Sequence, residues 1–166
     1  NYWINLDNLL FGEIISSKKL PWYYVSVWIL ITTPLLYLLF FFIGLILILK
    51  KSFMFFSKKI EFNLFYDLYF VGIVFSSLFA IILLNSTLYN GWRHMYFLYP
   101  LILLISLNGL FCLFKNTKIV FIKYIFIFII SLQMLTTFTW MVKNHPHQYV
   151  FFNSFIKGNL TKKFEL

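Results

Sequence analysis

Charge is what this sequence has least of. Of its 166 residues 11% are charged, and only five are acidic. Acid–base catalysis needs a carboxylate or an equivalent group at the reacting centre. On the side of the membrane that matters below, the supply is Asp7, Glu13 and Glu165, none in a persuasive setting, so no catalytic base is assigned. The single cysteine, Cys112, sits inside an apolar run, which excludes a disulfide framework and makes it a small packed side chain. Ala80 is the sole alanine, while Phe, Ile, Lys, Asn and Tyr abound. A bias toward A+T-rich codons gives that pattern, so individual phenylalanines carry little weight. No basic stretch precedes a short apolar core, so no signal peptide is read. With Asn1 first and Phe164-Glu165-Leu166 last, the chain is expected to be an internal piece of a longer protein.

What is present is hydrocarbon. The chain is 61% hydrophobic and 23% aromatic, with mean hydropathy +0.85. A soluble domain of this size cannot hide so much apolar surface, so an all-α, polytopic membrane helical bundle is expected. Residues 1–23 read as the end of a polar loop, with a helix beginning near Pro21. Four spans follow in 24–142, at about 24–49, 68–84, 95–114 and 124–142, and residues 143–166 begin a polar tail. The first span exceeds the roughly 20 residues a bilayer core requires, so tilt or a kink at Pro34 is expected to absorb the excess.

The formal charge of +9 is almost wholly lysine, clustered beside apolar runs. Such placement orients a protein in a membrane and does not build a nucleic-acid groove. The loops after the first and third spans hold seven lysines, against four cations near the membrane on the other side: Lys18, Lys19, Arg93 and Lys143. Those two loops are therefore expected to be cytoplasmic. Three polar-aromatic clusters then share the opposite face: Leu20-Pro21-Trp22-Tyr23-Tyr24, Gly91-Trp92-Arg93-His94 and His145-Pro146-His147-Gln148-Tyr149. Together they look like the rim of one site.

Arg93, the only arginine, carries the sharpest chemistry. Its guanidinium offers a fixed fork of donors to phosphate oxygens at headgroup depth, and His94 adds a hydrogen bond or, protonated, a second charge. Trp22, Tyr23, Trp92, Tyr96 and Tyr149 present rings that stack on sugars. Arg, Trp and Tyr are equally the ordinary anchors of helix ends at lipid headgroups. His94, His145 and His147 raise metal binding, but no Cys or carboxylate accompanies them and Pro146 restricts the His145–His147 pair. No metal site and no cofactor is assigned, and divalent-metal dependence stays open. Asn85-Ser86-Thr87 and Asn159-Leu160-Thr161 match the glycosylation acceptor pattern, which has meaning only in a secretory-pathway protein.

The order Gly12-Glu13, Ser16-Ser17-Lys18-Lys19-Leu20-Pro21-Trp22-Tyr23-Tyr24, Thr32-Thr33-Pro34, Asn90-Gly91-Trp92-Arg93-His94-Met95-Tyr96-Phe97-Leu98-Tyr99-Pro100 and His145-Pro146-His147-Gln148-Tyr149-Val150-Phe151-Phe152-Asn153 resembles bacterial family 39 glycosyltransferases. These are relatives of protein O-mannosyltransferases and of the lipid A aminoarabinose transferase. The resemblance covers nearly the whole chain and corresponds to the later spans of such a protein. It implies a C-type transferase of the bacterial inner membrane that uses a polyprenyl-phosphate-linked sugar, with a lipid, glycan or protein as acceptor and chemistry on the periplasmic face. It also implies a catalytic carboxylate in the first external loop, upstream of this chain, so no catalytic residue is carried over. The rival is a transporter or flippase subunit for lipid-linked sugars. Transporters place polar or broken-helix elements near the bilayer midplane, and the spans here hold no buried charge. A third alternative is a purely structural membrane segment whose motifs are anchors.

Overall fold

The computed structural model describes residues 7–54, 62–88, 91–146, 151–154, 156 and 164. It is a helical membrane protein with a small hairpin at one end. Strands β1 (Asp7–Leu10) and β2 (Glu13–Ser16) pair antiparallel, and helices α1 (Tyr24–Thr32), α2 (Leu35–Met54), α3 (Phe62–Leu83), α4 (Leu98–Asn116) and α5 (Val120–Lys143) follow. Helices α2 to α5 are each long and apolar enough to cross a bilayer, which makes the chain a multi-pass membrane protein. Lys58 and Lys59, in the basic loop between α2 and α3, lie outside the described residues.

The hairpin occupies residues expected as loop. Its two-residue turn is Phe11–Gly12, with φ 55° and 89°, the paired positive values that let a tight turn match the twist of its strands. A Gly two residues before an Ile-Ile pair was the visible signal. Asn8 is buried and pins the hairpin to the bundle, donating from Nδ2 to the Leu88 carbonyl at 3.1 Å. The Tyr24 hydroxyl donates to Asn8 Oδ1 at 3.1 Å, closing the link to α1.

The region expected as one long first span is two helices. Pro34 has no N–H, and the residue before a proline is driven toward extended backbone. Thr33 accordingly sits at φ −93°, ψ 135° and ends α1. At about 1.5 Å per residue the following helix α2 is about 30 Å long, enough to cross the hydrocarbon core alone. The break strands carbonyls: Leu30 loses its partner because residue 34 has no donor, and Tyr37 N–H turns to Pro34 O instead of Thr33 O. Asn153 repairs them. Its Nδ2 donates to Leu30 O at 2.6 Å and Thr33 O at 3.0 Å, and its backbone N–H donates to Ile31 O at 2.8 Å. One amide group has two N–H bonds to give, and here both are given.

The other helix ends follow from local chemistry. Helix α3 closes with Ser86 N–H on Ile81 O and Asn85 N–H on Ile82 O, while Asn85 takes φ 45°. This is a left-handed cap that occupies two carbonyls of the last turn. Helix α4 begins at Leu98 and not near residue 95, because Pro100 fits only within a first turn. Residues Arg93–Met95 form a separate 3-10 turn.

Packing is densest between α2 and α4. They meet at Gly44 and Gly109, where a Cβ on Gly44 would collide with the Ile105 carbonyl and one on Gly109 with the Phe40 carbonyl. Small residues that let backbones approach are a main source of helix association in lipid. Ser106, one turn away, hydrogen-bonds from Oγ to Tyr37 O at 2.9 Å. Helix α5 has no buried residue and stands along the edge of this pair.

Gly109→Val is expected to destabilise the protein by about 1–3 kcal/mol or more in a denaturing-detergent titration, since backbone blocks the added atoms. Asn153→Leu is expected to cost about 1–3 kcal/mol for each carbonyl it orphans. An Asn153→Leu protein as stable as wild type would show that the break is satisfied some other way.

Candidate functional site

The site is built around the turn that connects α3 to α4. Gly91 adopts φ 73°, a conformation costly for any residue with a side chain, and a Cβ there would press on the Trp28 ring at 3.3 Å. Its N–H donates to the Tyr24 hydroxyl at 3.2 Å. The sharp turn sends the next side chain inward. Trp92 is only 4% exposed, and its indole Nε1 donates to Thr32 Oγ1 at 2.9 Å. Thr32 in turn donates to the Trp28 carbonyl at 2.7 Å. The indole is thus held by the hydroxyl that precedes the helix break.

Arg93 and His94 face outward from the 3-10 turn and are exposed, each with interactions of its own. Burial raises the Tyr96 phenol above its ordinary value, and the positive charge of Arg93 opposes that rise. The Tyr96 ring packs edge-on against Trp92, with centroids 5.0 Å apart. Arginine and aromatic surface are therefore joined within one turn.

Trp92 and Tyr96 form one wall of a cavity of about 420 Å³. Thr32 and Pro34 of the break, Tyr99 and Pro100 of α4, and Met141 of α5 complete most of it. Its size falls within the range of small-molecule sites. The cavity continues along α5. A second space of about 190 Å³ shares Pro34, Thr137 and Phe151 with it, and a third of about 250 Å³ shares Gln133 with the second. Gln133 and Thr137 are bonded to each other, Nε2 to Oγ1 at 3.2 Å. These neighbouring spaces outline a crevice from the Trp92 turn toward Leu110 and Ile130, mostly apolar at its two ends and half polar beside Gln133, Thr136 and Thr137.

The other residues read from the sequence fall elsewhere. Trp22 is 70% exposed and lines a different cavity, and Tyr23 packs edge-on against it at 5.6 Å. His145 is exposed just beyond α5. His147 and Tyr149 lie outside the described residues. Among the described residues no group of three His, Cys, Asp or Glu is placed to hold a metal ion.

Sequence reasoning overlooked Asn8, Tyr24 and Asn153 as organising residues. Each is a polar group beside apolar neighbours, and in a bilayer such a group demands a partner. That demand was the available signal; the identity of the partner was not available from it.

No family model, curated protein or solved structure matches the chain.

The Thr32–Trp92 bond is expected to appear as coupling in a double-mutant cycle of Thr32→Val and Trp92→Phe. Its size should be about 0.5–2 kcal/mol in the stability of the purified protein. Strict additivity would mean that the two groups do not depend on each other.

Proposed function

We propose that this chain is part of an integral membrane glycosyltransferase that moves a sugar from a polyprenyl-phosphate donor to a lipid, glycan or protein acceptor on the periplasmic face. The observation that carries this is the apolar crevice opening beside the Trp92–Tyr96 turn that bears Arg93. A donor of this class is a long hydrocarbon with a charged, sugar-bearing end. A mostly apolar cavity beside α5, with aromatic rings in its wall and Arg93 exposed on the adjoining turn, matches both parts.

In the reaction the acceptor oxygen forms a bond to the anomeric carbon as the bond from that carbon to the phosphate oxygen breaks. The acceptor proton passes to a base that is not assigned to any residue of this chain, and the electron pair leaves with the polyprenyl phosphate. Negative charge therefore grows on the phosphate. Arg93, with His94 beside it, stabilises that charge from a position at headgroup depth. Tyr96, about half exposed, orients the sugar by stacking, and the buried Trp92 supports the Tyr96 ring from behind.

One observation favours a transporter instead: the break between α1 and α2, since broken helices build the substrate sites of many transporters. There, unwound carbonyls coordinate ions. Here Asn153 consumes the carbonyls of Leu30, Ile31 and Thr33, which leaves the break as a structural joint and favours the transferase.

With the full-length protein in membranes and radiolabelled polyprenyl-phosphate sugar, label is expected to move into a new acceptor. Arg93→Ala should slow that transfer by about 10²-fold while expression is maintained. If the labelled lipid instead crosses the bilayer unchanged, the protein is a transporter. An unaffected Arg93→Ala rate would remove Arg93 from the site.

A further inference from the structure

Between the lysine turn after β2 and the end of α3 lies a separate cavity, of about 120 Å³, which shares no lining residue with the crevice. Its polar wall is Lys18, Lys19, Asn85 and Ser86, with Trp22 and Tyr24 beside them, over a floor of apolar side chains from α1 and α3. We infer that this cavity is an anion site that takes a single phosphate group, a phosphomonoester or phosphodiester, at the lipid–water boundary.

The sign of the charge decides the class of ligand. Two lysines and no carboxylate stand among the described lining residues, so the cavity repels cations. Asp7 lies opposite Ser16 in the hairpin and does not line the space. The C-terminus of a helix ordinarily disfavours anions. At the end of α3, however, the cap formed by the Asn85 and Ser86 N–H groups occupies the Ile82 and Ile81 carbonyls, which weakens that effect.

The backbone that carries the two exposed lysines is held in place. Lys19 N–H donates to Ser16 O at 2.9 Å and Lys18 N–H to Ser16 Oγ at 3.5 Å, fixing the turn that leaves β2. The hairpin is tied to Leu88, itself part of the cavity wall, through Asn8. The lysine turn and the end of α3 are thus parts of one bonded unit, and a lysine pair on a free loop would lack that constraint. Size sets a further limit: 120 Å³ lies below the roughly 300–1,000 Å³ of sites that enclose whole small molecules, so the group bound is compact. Trp22, 70% exposed at the rim, has the amphipathic ring that settles at headgroup level. Two sources bring phosphate to that depth, a lipid headgroup and a soluble phosphate compound.

The test uses the full-length protein in phosphatidylcholine nanodiscs, with thermal unfolding as readout. One arm adds phosphatidylglycerol in steps and the other adds inorganic phosphate. A saturable rise in Tm is expected in at least one arm. A response to the lipid alone identifies a headgroup, and a response to inorganic phosphate identifies a soluble source. K18Q/K19Q should lose at least half of the shift. Ser86→Leu, which fills the cavity but keeps both charges, should lose it as well. K50Q/K51Q, at the other end of α2, should retain it. The site is overturned if neither arm shifts Tm, if K18Q/K19Q or Ser86→Leu responds like wild type, or if K50Q/K51Q loses as much as K18Q/K19Q. The Arg93→Ala protein should keep the full shift, which separates this site from the transfer reaction.

Discussion

A carbonyl group without a donor is costly anywhere inside a protein, and in a bilayer there is no water to rescue it. Pro34 creates that situation between α1 and α2, and the side chain and backbone of Asn153 resolve it with three hydrogen bonds. The consequences spread from that one residue. The segment after α5 must return to the bundle to deliver Asn153, and in doing so it brings Phe151 to the crevice and Phe152 against Trp28. The break also leaves Thr32 beside the opening, where its hydroxyl receives the Trp92 indole. Chain segments far apart in sequence are thereby joined at one end of the bundle by polar groups buried among apolar ones.

Within the motif itself, one turn divides its side chains between two tasks. Positive φ at Gly91 lets Trp92 point into the protein, whereas Arg93 and His94 on the next turn face out. Trp92 is thus a structural wall of the crevice first, and contacts a ligand only through the surface it shows there. The lysine-lined cavity and the crevice differ in character. One is large, mostly apolar and continues along α5; the other is small and lysine-lined.

Much of the fold could be read from composition. Long apolar runs bounded by lysine leave a helix as the only way to satisfy their backbone in lipid, so an all-α membrane bundle followed directly. Pro34 advertised a disturbance in the first run, because the missing N–H is a property of the residue alone. The extent of the disturbance was less visible: a kink and a full break differ only in whether a donor such as Asn153 is near enough to hold the parted carbonyls. The hairpin was hidden because alternation over 7–16 is short, and its attachment to the bundle rests on Asn8 reaching Leu88, 80 residues away in the sequence. The motif residues could be named, but their directions could not, since a Trp at a membrane edge is equally at home as an anchor or as a buried wall.

By itself, then, the sequence determined the solvent: its hydropathy and scarcity of charge demand a bilayer, and its lysines and prolines mark where helices stop or falter. Only the tertiary structure decided which polar groups meet. Asn153 with the Pro34 break, Thr32 with Trp92, and Asn8 with Leu88 are pairings between distant segments. The physical reason is range. Propensity and hydropathy act over a few neighbouring residues, whereas each of these pairings joins residues at least 60 positions apart and forms only once the helices have packed.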